Sequence, residues 1–203
     1  MIVEYNAPSA WNGLEHFLDW LIYTKKPNIY YEIGVHHGFS YFAACQSIKA
    51  HKLKTFIVGV DTWQGDIHAN YTDGDDIFRK VSAHNQEHYS AFSALCRKTS
   101  LEAAQEVQDR SIDILHIDAG HRYQDIHSDF FAWLPKMKKG GVVLVHDVCL
   151  TNEHIDDENG VGVNRFWNEV MHFFPSFHIP YSCGLGVLTI DKYPEDKPKP
   201  ELE

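Results

Sequence analysis

The chain has 203 residues, 44% hydrophobic and 23% charged, with a formal charge of −10 at neutral pH. That length suits one domain with a substantial core, and the acidic balance argues against a dedicated nucleic-acid binder, which would carry a basic face. No run approaches the roughly 18 apolar residues of a membrane span. The opening "MIVEYNAPSAWNGLEHF" has neither a basic leader nor an apolar signal core, so a cytoplasmic location with no membrane partner is expected. Cys45, Cys96, Cys149 and Cys183 form no C-x-x-C pair, which removes zinc-finger and thioredoxin readings and leaves reduced thiols.

In chain order, Trp11 to Tyr23 places apolar side chains at Leu14, Phe17, Leu18, Leu21 and Ile22. That spacing predicts an amphipathic opening helix, which Pro27 closes. "NIYYEIGV" reads as a first strand, Gly34 and Gly38 bracket a turn, and "SYFAACQSIKAHK" follows as a helix. Thr55 to Asp61 is a second buried strand of the β-branched kind. The stretch from Thr62 to Ala83 opens on turn and polar residues and becomes helical near Asp75. A polar loop of that length after a strand is more often functional than decorative. "HYSAFSALCRKTSLEAAQEV" combines a short third strand with a helix that starts near Ser100. "IDILHID" is the fourth strand, Tyr123 to Leu134 a helix, and "GGVVLVHD" the fifth strand. "RFWNEVMHFF" is a helix, and "SFHIPYS" and "GLGVLTI" are closing strands joined by "CG". A single domain over 1–190 is expected, with 191–203, rich in Pro and charge, as a disordered tail.

Strands that alternate with helices call for an α/β fold, a Rossmann-like doubly wound sheet covered on both faces. The link between the last strands is too short for a crossover helix, so the sheet is mostly parallel with an antiparallel edge hairpin. Ligands on such sheets bind at the carboxyl ends of the strands. Glu32, Asp61, Asp118 and Asp147 all stand at or near those ends.

The first loop is E-I-G-x-x-x-G, with Val35, His36 and His37 in its middle, and lacks the glycine that brings backbone close to a pyrophosphate. An acid ahead of the glycines repels a pyrophosphate and suits a cationic ligand. Asp61, ending the second strand, can accept hydrogen bonds from a ribose diol. Together these describe S-adenosylmethionine. A nicotinamide-dependent oxidoreductase on a related fold is the alternative, and a binding module without turnover is the third reading.

"EIGVHHGFS", "GVDTWQGDIHANY", "HYSAFSALCRKTS", "SIDILHIDAGHRYQDIHSDFFAWLPKMKKGGVVLVHDV", "GVNRFWNEV" and "GLGVLTI" resemble the class I S-adenosylmethionine-dependent methyltransferases found beside, or fused to, bacterial glycosyltransferases. The resemblance runs from about Ile29 to Ile190, and its specific parts are "DTWQGD" and "HIDAGH…HD". It implies a seven-stranded sheet with one antiparallel strand, and S-adenosylmethionine as methyl donor. It also implies a small-molecule or glycan acceptor O-methylated on a sugar hydroxyl, and a glycosyltransferase as partner.

Gly34 and Gly38 admit the methionine part of the cofactor or are ordinary turn glycines. Glu32 stabilises the methionine end or caps local N–H groups. Asp61 accepts from the ribose. Trp63 packs on the adenine or closes the substrate loop, and otherwise is core. Ser100 stands where this fold class contacts adenine, or is a helix N-cap. A sugar hydroxyl is a weak acid, so its methylation needs a base or a metal. Metal-dependent relatives carry carboxylates after the fourth and fifth strands, the positions of Asp118 and Asp147. Where several of them have a second acid beside the fifth-strand Asp, this chain has His146, a poor magnesium ligand. Asp118, His146 and Asp147 are therefore the expected metal set, for magnesium or manganese, and a metal-free mechanism stays open. His121 is the candidate general base, with Asp118 beside it in catalysis and cofactor binding. Asp66, His68 and Tyr71 are candidate substrate-wall residues.

Overall fold

A computed structural model describes residues 3–65, 73–150 and 160–192. The elements run α1 (Glu15–Lys25), β1 (Ile29–Ile33), α2 (Phe39–Ala50), β2 (Phe56–Asp61), α3 (Gly74–His88), β3 (Ser93–Arg97), α4 (Ser100–Glu106) and β4 (Ile112–Ile117). They continue with α5 (Tyr123–Trp133), a 3₁₀ turn (Leu134–Lys136), β5 (Met137–His146), α6 (Val163–Val170), β6 (Ser176–Ile179) and β7 (Leu185–Thr189). Asp66, His68 and Tyr71 lie outside the described residues, as does the chain beyond Lys192.

Seven strands form one sheet in the order β3-β2-β1-β4-β5-β7-β6. The first five strands pair in parallel, and β7 runs antiparallel to both β5 and β6. The expected edge hairpin is present, but its link runs from Pro180 to Gly184 rather than through "CG" alone. Each face of the sheet has its own core. One joins Leu18, Ile22, Phe42, Ile57, Ile114 and Leu144, bringing α1 and α2 onto the sheet. The other joins Val60, Leu115, Phe130, Trp133, Val143 and Trp167 under α5 and α6. Alternate residues of the buried strands therefore serve opposite cores, as side chains of a pleated strand must. Among the described residues, no helix is long and apolar enough to cross a membrane.

The opening helix starts later than its apolar spacing predicts. Gly13 holds φ +97 and packs against Tyr181, so the chain is not helical there and α1 begins at Glu15. Trp11 is thereby released from the helix and turned inward, where it is 1% exposed.

The strand order reverses between β1 and β4, and at that point the turn after β1 crosses the turn after β4. Gly34 has φ +87, and a Cβ there would sit 1.9 Å from the carbonyl oxygen of Asp118. Glycine is required on both counts. Gly34→Ala is expected to lose about 3 kcal/mol or more of stability, or to prevent folding. Urea unfolding that shows a loss under about 1 kcal/mol would contradict this account of the crossing.

Candidate active site at the strand ends

A cavity of about 580 Å³ opens at the carboxyl ends of β1, β2, β4 and β5, and Gly34, Gly38, Asp61, Asp118, His121 and Asp147 all line it. Ser100 and His146 line it as well. Eight residues singled out from the sequence thus converge in one place. Glu32 and Trp63 are not among its lining residues.

The turn after β1 and the turn after β2 are fastened to each other through Asp61. Its Oδ2 accepts from the His36 amide at 2.8 Å and its Oδ1 from the Trp63 amide at 2.7 Å. Trp63 Nε1 donates to the His36 carbonyl at 3.0 Å, and the Trp63 ring, 1% exposed, packs on Phe78. The structure therefore places Trp63 in the core. Gly38, like Gly34, has φ +87, and its missing side chain makes room for the Phe42 ring.

Glu32 lies beneath the cavity, fully buried in β1 and paired in register with His116 of β4. Its carboxylate accepts from Ser40 Oγ at 2.7 Å and lies 3.1 Å from His116 Nδ1. Those contacts hold its oxygens in the interior, directly behind the cavity-lining Ser40. Ser100 is not the helix cap. Thr99 caps α4 in a reciprocal arrangement with Glu102, and Ser100 Oγ instead accepts from Trp133 Nε1 at 2.9 Å.

The charged centre is compact. His146 Nδ1 lies 3.3 Å from Asp118 Oδ1 and 3.2 Å from Asp147 Oδ1, while its Nε2 donates to the Ser182 carbonyl at 2.9 Å. Asp147 Oδ2 faces His121 Nε2 at 3.0 Å, and Asp118 Oδ2 accepts from Trp11 Nε1 at 3.1 Å. Burial alone would lower the His146 pKa, but the charge of Asp118 and hydrogen bonds with both carboxylates outweigh it and raise it to about 11. Burial likewise pushes Asp118 and Asp147 upward, yet both fall below the usual carboxylate range. The His146 charge does this for Asp118, and hydrogen bonds from His121 and His146 do it for Asp147.

Both ring nitrogens of His146 are thus engaged, Nδ1 by the two carboxylates and Nε2 by the Ser182 carbonyl. Among the described residues, the group that could hold an ion is Asp118, His121 and Asp147, whose ligand atoms all lie within 4.8 Å of one another, and His146 of the expected set is not part of it.

Sequence reasoning missed Trp11 and His116. Trp11 stacks on His146 with ring centroids 5.5 Å apart and meets the edge of His116 at 4.6 Å. Its hydrogen bond to Asp118 spans 107 positions, and no local pattern announces it. His116 is a fully buried polar residue in mid-strand, and its signal was the lone histidine inside "IDILHID".

The sequence pattern of the methyltransferase-domain family Methyltransf_24 matches residues 31–148. Over 184 residues, 91% of this chain, the sequence is 42% identical to uncharacterized protein y4gI of Sinorhizobium fredii, a far longer protein of which it spans 19%. The O-methyltransferase TomG from Streptomyces achromogenes, solved in complex with SAM, has a TM-score of 0.66 at 16% identity, covering 94% of this chain and 82% of that one. An O-methyltransferase from Bacillus cereus, in complex with SAH, has a TM-score of 0.63 at 16% identity, covering 92% of this chain and 83% of that one. At such identities the likeness is one of fold.

The bridge has a pH signature. His146 is raised from 6.5 to about 11, so its contribution to stability is complete below about pH 6.5 and is lost as pH rises through about 11. The two lowered carboxylates contribute above their ordinary value of 3.8 and lose that contribution only as pH falls below it. With chelator present, the unfolding free energy is expected to decline between about pH 7 and 11, and His146→Gln to flatten that slope. Identical slopes in the two proteins would refute a charged bridge.

Proposed function

This chain belongs to the methyltransferase-domain family Methyltransf_24, and from that premise we propose that it moves the methyl group of S-adenosylmethionine onto a hydroxyl oxygen. The observation that carries the proposal is the His121–Asp147 contact of 3.0 Å, set beside Asp118 in the strand-end cavity.

Methyl transfer is an in-line displacement. The acceptor oxygen forms a bond to the methyl carbon while the carbon–sulfur bond breaks, and its electron pair leaves on sulfur as a neutral thioether. The sulfonium is already a good leaving group, so the protein must align the reactants and remove the hydroxyl proton. Asp147 accepts from His121 Nε2, which fixes the ring orientation and tautomer. The imidazole then takes the hydroxyl proton, and the Asp147 carboxylate stabilises the imidazolium that results. Each oxygen of Asp61 accepts one backbone amide and keeps a lone pair for a ribose hydroxyl.

Two carboxylate oxygens and one imidazole nitrogen fit a divalent ion at Asp118, His121 and Asp147. That donor set suits manganese or zinc better than magnesium. When bound, such an ion would lower the pKa of the acceptor hydroxyl. His121 serves one role or the other, because a nitrogen bound to an ion is no longer a base.

For the acceptor we propose a sugar or glycan hydroxyl, and for the partner a glycosyltransferase, on the strength of the motif resemblance. The relative that is 42% identical has ample length for further domains, since this chain spans 19% of it. A nicotinamide dinucleotide fits the site less well. The first loop, E-I-G-x-x-x-G, carries Val35, His36 and His37 where a dinucleotide loop needs glycine close to the pyrophosphate.

S-adenosylhomocysteine at a hundred times its Kd should stabilise the fold by about 2.7 kcal/mol, seen as a rise in Tm, and a nicotinamide dinucleotide should not. The reverse pattern would sink the proposal, and binding without turnover on any alcohol would leave a binding module. His121→Ala and Asp147→Asn should cut kcat by about 10²- to 10⁴-fold with cofactor affinity held within about threefold. Chelator separates the two modes. If His121 is the base, activity survives chelation; if it holds an ion, activity falls and manganese restores it. Undiminished turnover by His121→Ala would exclude both roles.

A further inference from the structure

β6 is the last strand of the sheet, and among the described residues no strand pairs with its outer side. Its register fixes which backbone groups lie there. Thr189 N–H donates to the Pro175 carbonyl at 2.9 Å, and Ile190 N–H donates to the Gly141 carbonyl at 2.9 Å. Odd-numbered residues of β7 therefore bond to β6, and even-numbered ones bond to β5. Phe177 and Ile179, opposite Val187 and Leu185, turn their amides and carbonyls inward to β7. Ser176 and His178 turn theirs outward. Pro175 precedes them, and Pro180, at the next outward position, has no N–H. The open edge is thus two residues long, with Phe177 at its centre.

An edge of that shape is complementary to itself. An antiparallel copy centred on Phe177 sets the Ser176 of each chain against the His178 of the other, and each pair exchanges two hydrogen bonds. Phe177 then meets its own counterpart in the closer, non-hydrogen-bonded pair. Its ring meets Phe17 of α1 edge-on at 6.1 Å, and Phe17 packs on Trp20 at 5.7 Å. Trp20 and Phe177 are more than half exposed, as is Tyr181, which lies over Gly13. At about 200 Å² per aromatic side chain, these three offer about 300 Å² per copy. With the strand backbones, two copies bury on the order of 1,000 Å², the scale of a weak dimer. Charge also favours a second copy here. Two chains of charge −10 repel, so they meet best on a face without free acids. Phe173 to Tyr181 contains no Asp, Glu, Lys or Arg, the residues that normally guard an exposed edge. Both acids of α1 are engaged within the chain, Glu15 by the Gly13 amide and Asp19 by Ser47 Oγ.

We propose that β6 is a dimerisation edge, on which a second copy of this chain adds its own β6 antiparallel about Phe177 and joins the two seven-stranded sheets into one. The Phe177, Phe17 and Trp20 side chains of both copies then cover the seam on the α1 face. The proposal does not depend on what enters the cavity.

The test is sedimentation velocity of the full chain from about 1 to about 300 µM, in about 0.3 M salt to screen the like charges. Amide exchange of Ser176 and His178 is followed at both ends of that range. The chain should pass from monomer to dimer with a Kd on the order of 10–100 µM. Both amides should exchange at least about twofold more slowly at the higher concentration. Phe177→Lys sets two like charges against each other at the twofold axis. His178→Pro removes an outward N–H and leaves the bonds to β7 in place. Each should weaken association at least about tenfold while the Tm of the dilute protein stays within about 3 °C. Phe177→Lys carries the test alone if the proline variant does not fold. A chain still monomeric at about 300 µM overturns the proposal and leaves the edge to a strand of another polypeptide. A dimer that both variants retain at full strength, or one that adds no protection at Ser176 and His178, overturns it too, because such a dimer uses another face.

Discussion

Two carboxylates held side by side at the wall of one cavity repel each other, and the architecture around Asp118 and Asp147 follows from how that repulsion is met. His146 stands between them with its proton on Nδ1, and its other nitrogen is held by the Ser182 carbonyl. A buried charge survives only when paired and hydrogen-bonded on all sides. The β6–β7 link, by connectivity a simple hairpin turn, thereby becomes part of the site. Ser182 Oγ in turn donates to the carbonyl of Ala10 and lies 3.3 Å from that of Asn12. The segment so held delivers Trp11, whose indole N–H returns to Asp118. The contacts close a ring that runs from strand end to hairpin to N-terminal segment and back.

Beneath that ring lies a second buried polar layer. Glu32 joins the start of α2 through Ser40 to β4 through His116, and the His116 ring meets the edge of Trp11. Its neighbours in the sheet are Gly59 on one side and His116 on the other. A buried polar side chain at the centre of a parallel sheet is costly unless its partners are fixed. Here each partner belongs to a different element. The layer thus sets the relative position of β1, β4, α2 and the N-terminal segment, and with it the floor of the cavity.

The fold was legible because each of its signals is local. Strands rich in β-branched residues, helices with 3.6-residue spacing and a short last link are sufficient to specify a doubly wound sheet with an antiparallel edge. The convergence of Asp61, Asp118 and Asp147 was legible for a related reason, since parallel strands bring their carboxyl ends to one side. What was not legible depends on direction. His146 and His121 both lie near acids in the chain, but the turn at Asp147, with φ +63, sets His146 between the carboxylates and leaves His121 beside them. Trp11 and Ser182 were hidden because their partners are distant in sequence. Glu32 stands two positions before Gly34, yet the pleat points it into the core and away from the turn.

Three strained residues in the turns that shape the cavity are fastened by a carboxylate. His36, Trp63 and Asp147 hold φ of 51, 54 and 63, a left-handed conformation that costs an L-residue about 1–2 kcal/mol. The amides of His36 and Trp63 go to the two oxygens of Asp61. Asp147 is held through its own side chain by His121 and His146. Strain persists only where the surroundings over-determine it, and it clusters where geometry matters most. The same acids that face the cavity therefore also hold its walls. Because their backbone and histidine partners are internal to the chain, the turns are set before any ligand arrives. A site organised in that way loses little to rearrangement when charge shifts within it. The acids at the strand ends accordingly have two duties that cannot be separated by position alone. They organise the backbone from within, and they present their remaining lone pairs to whatever enters.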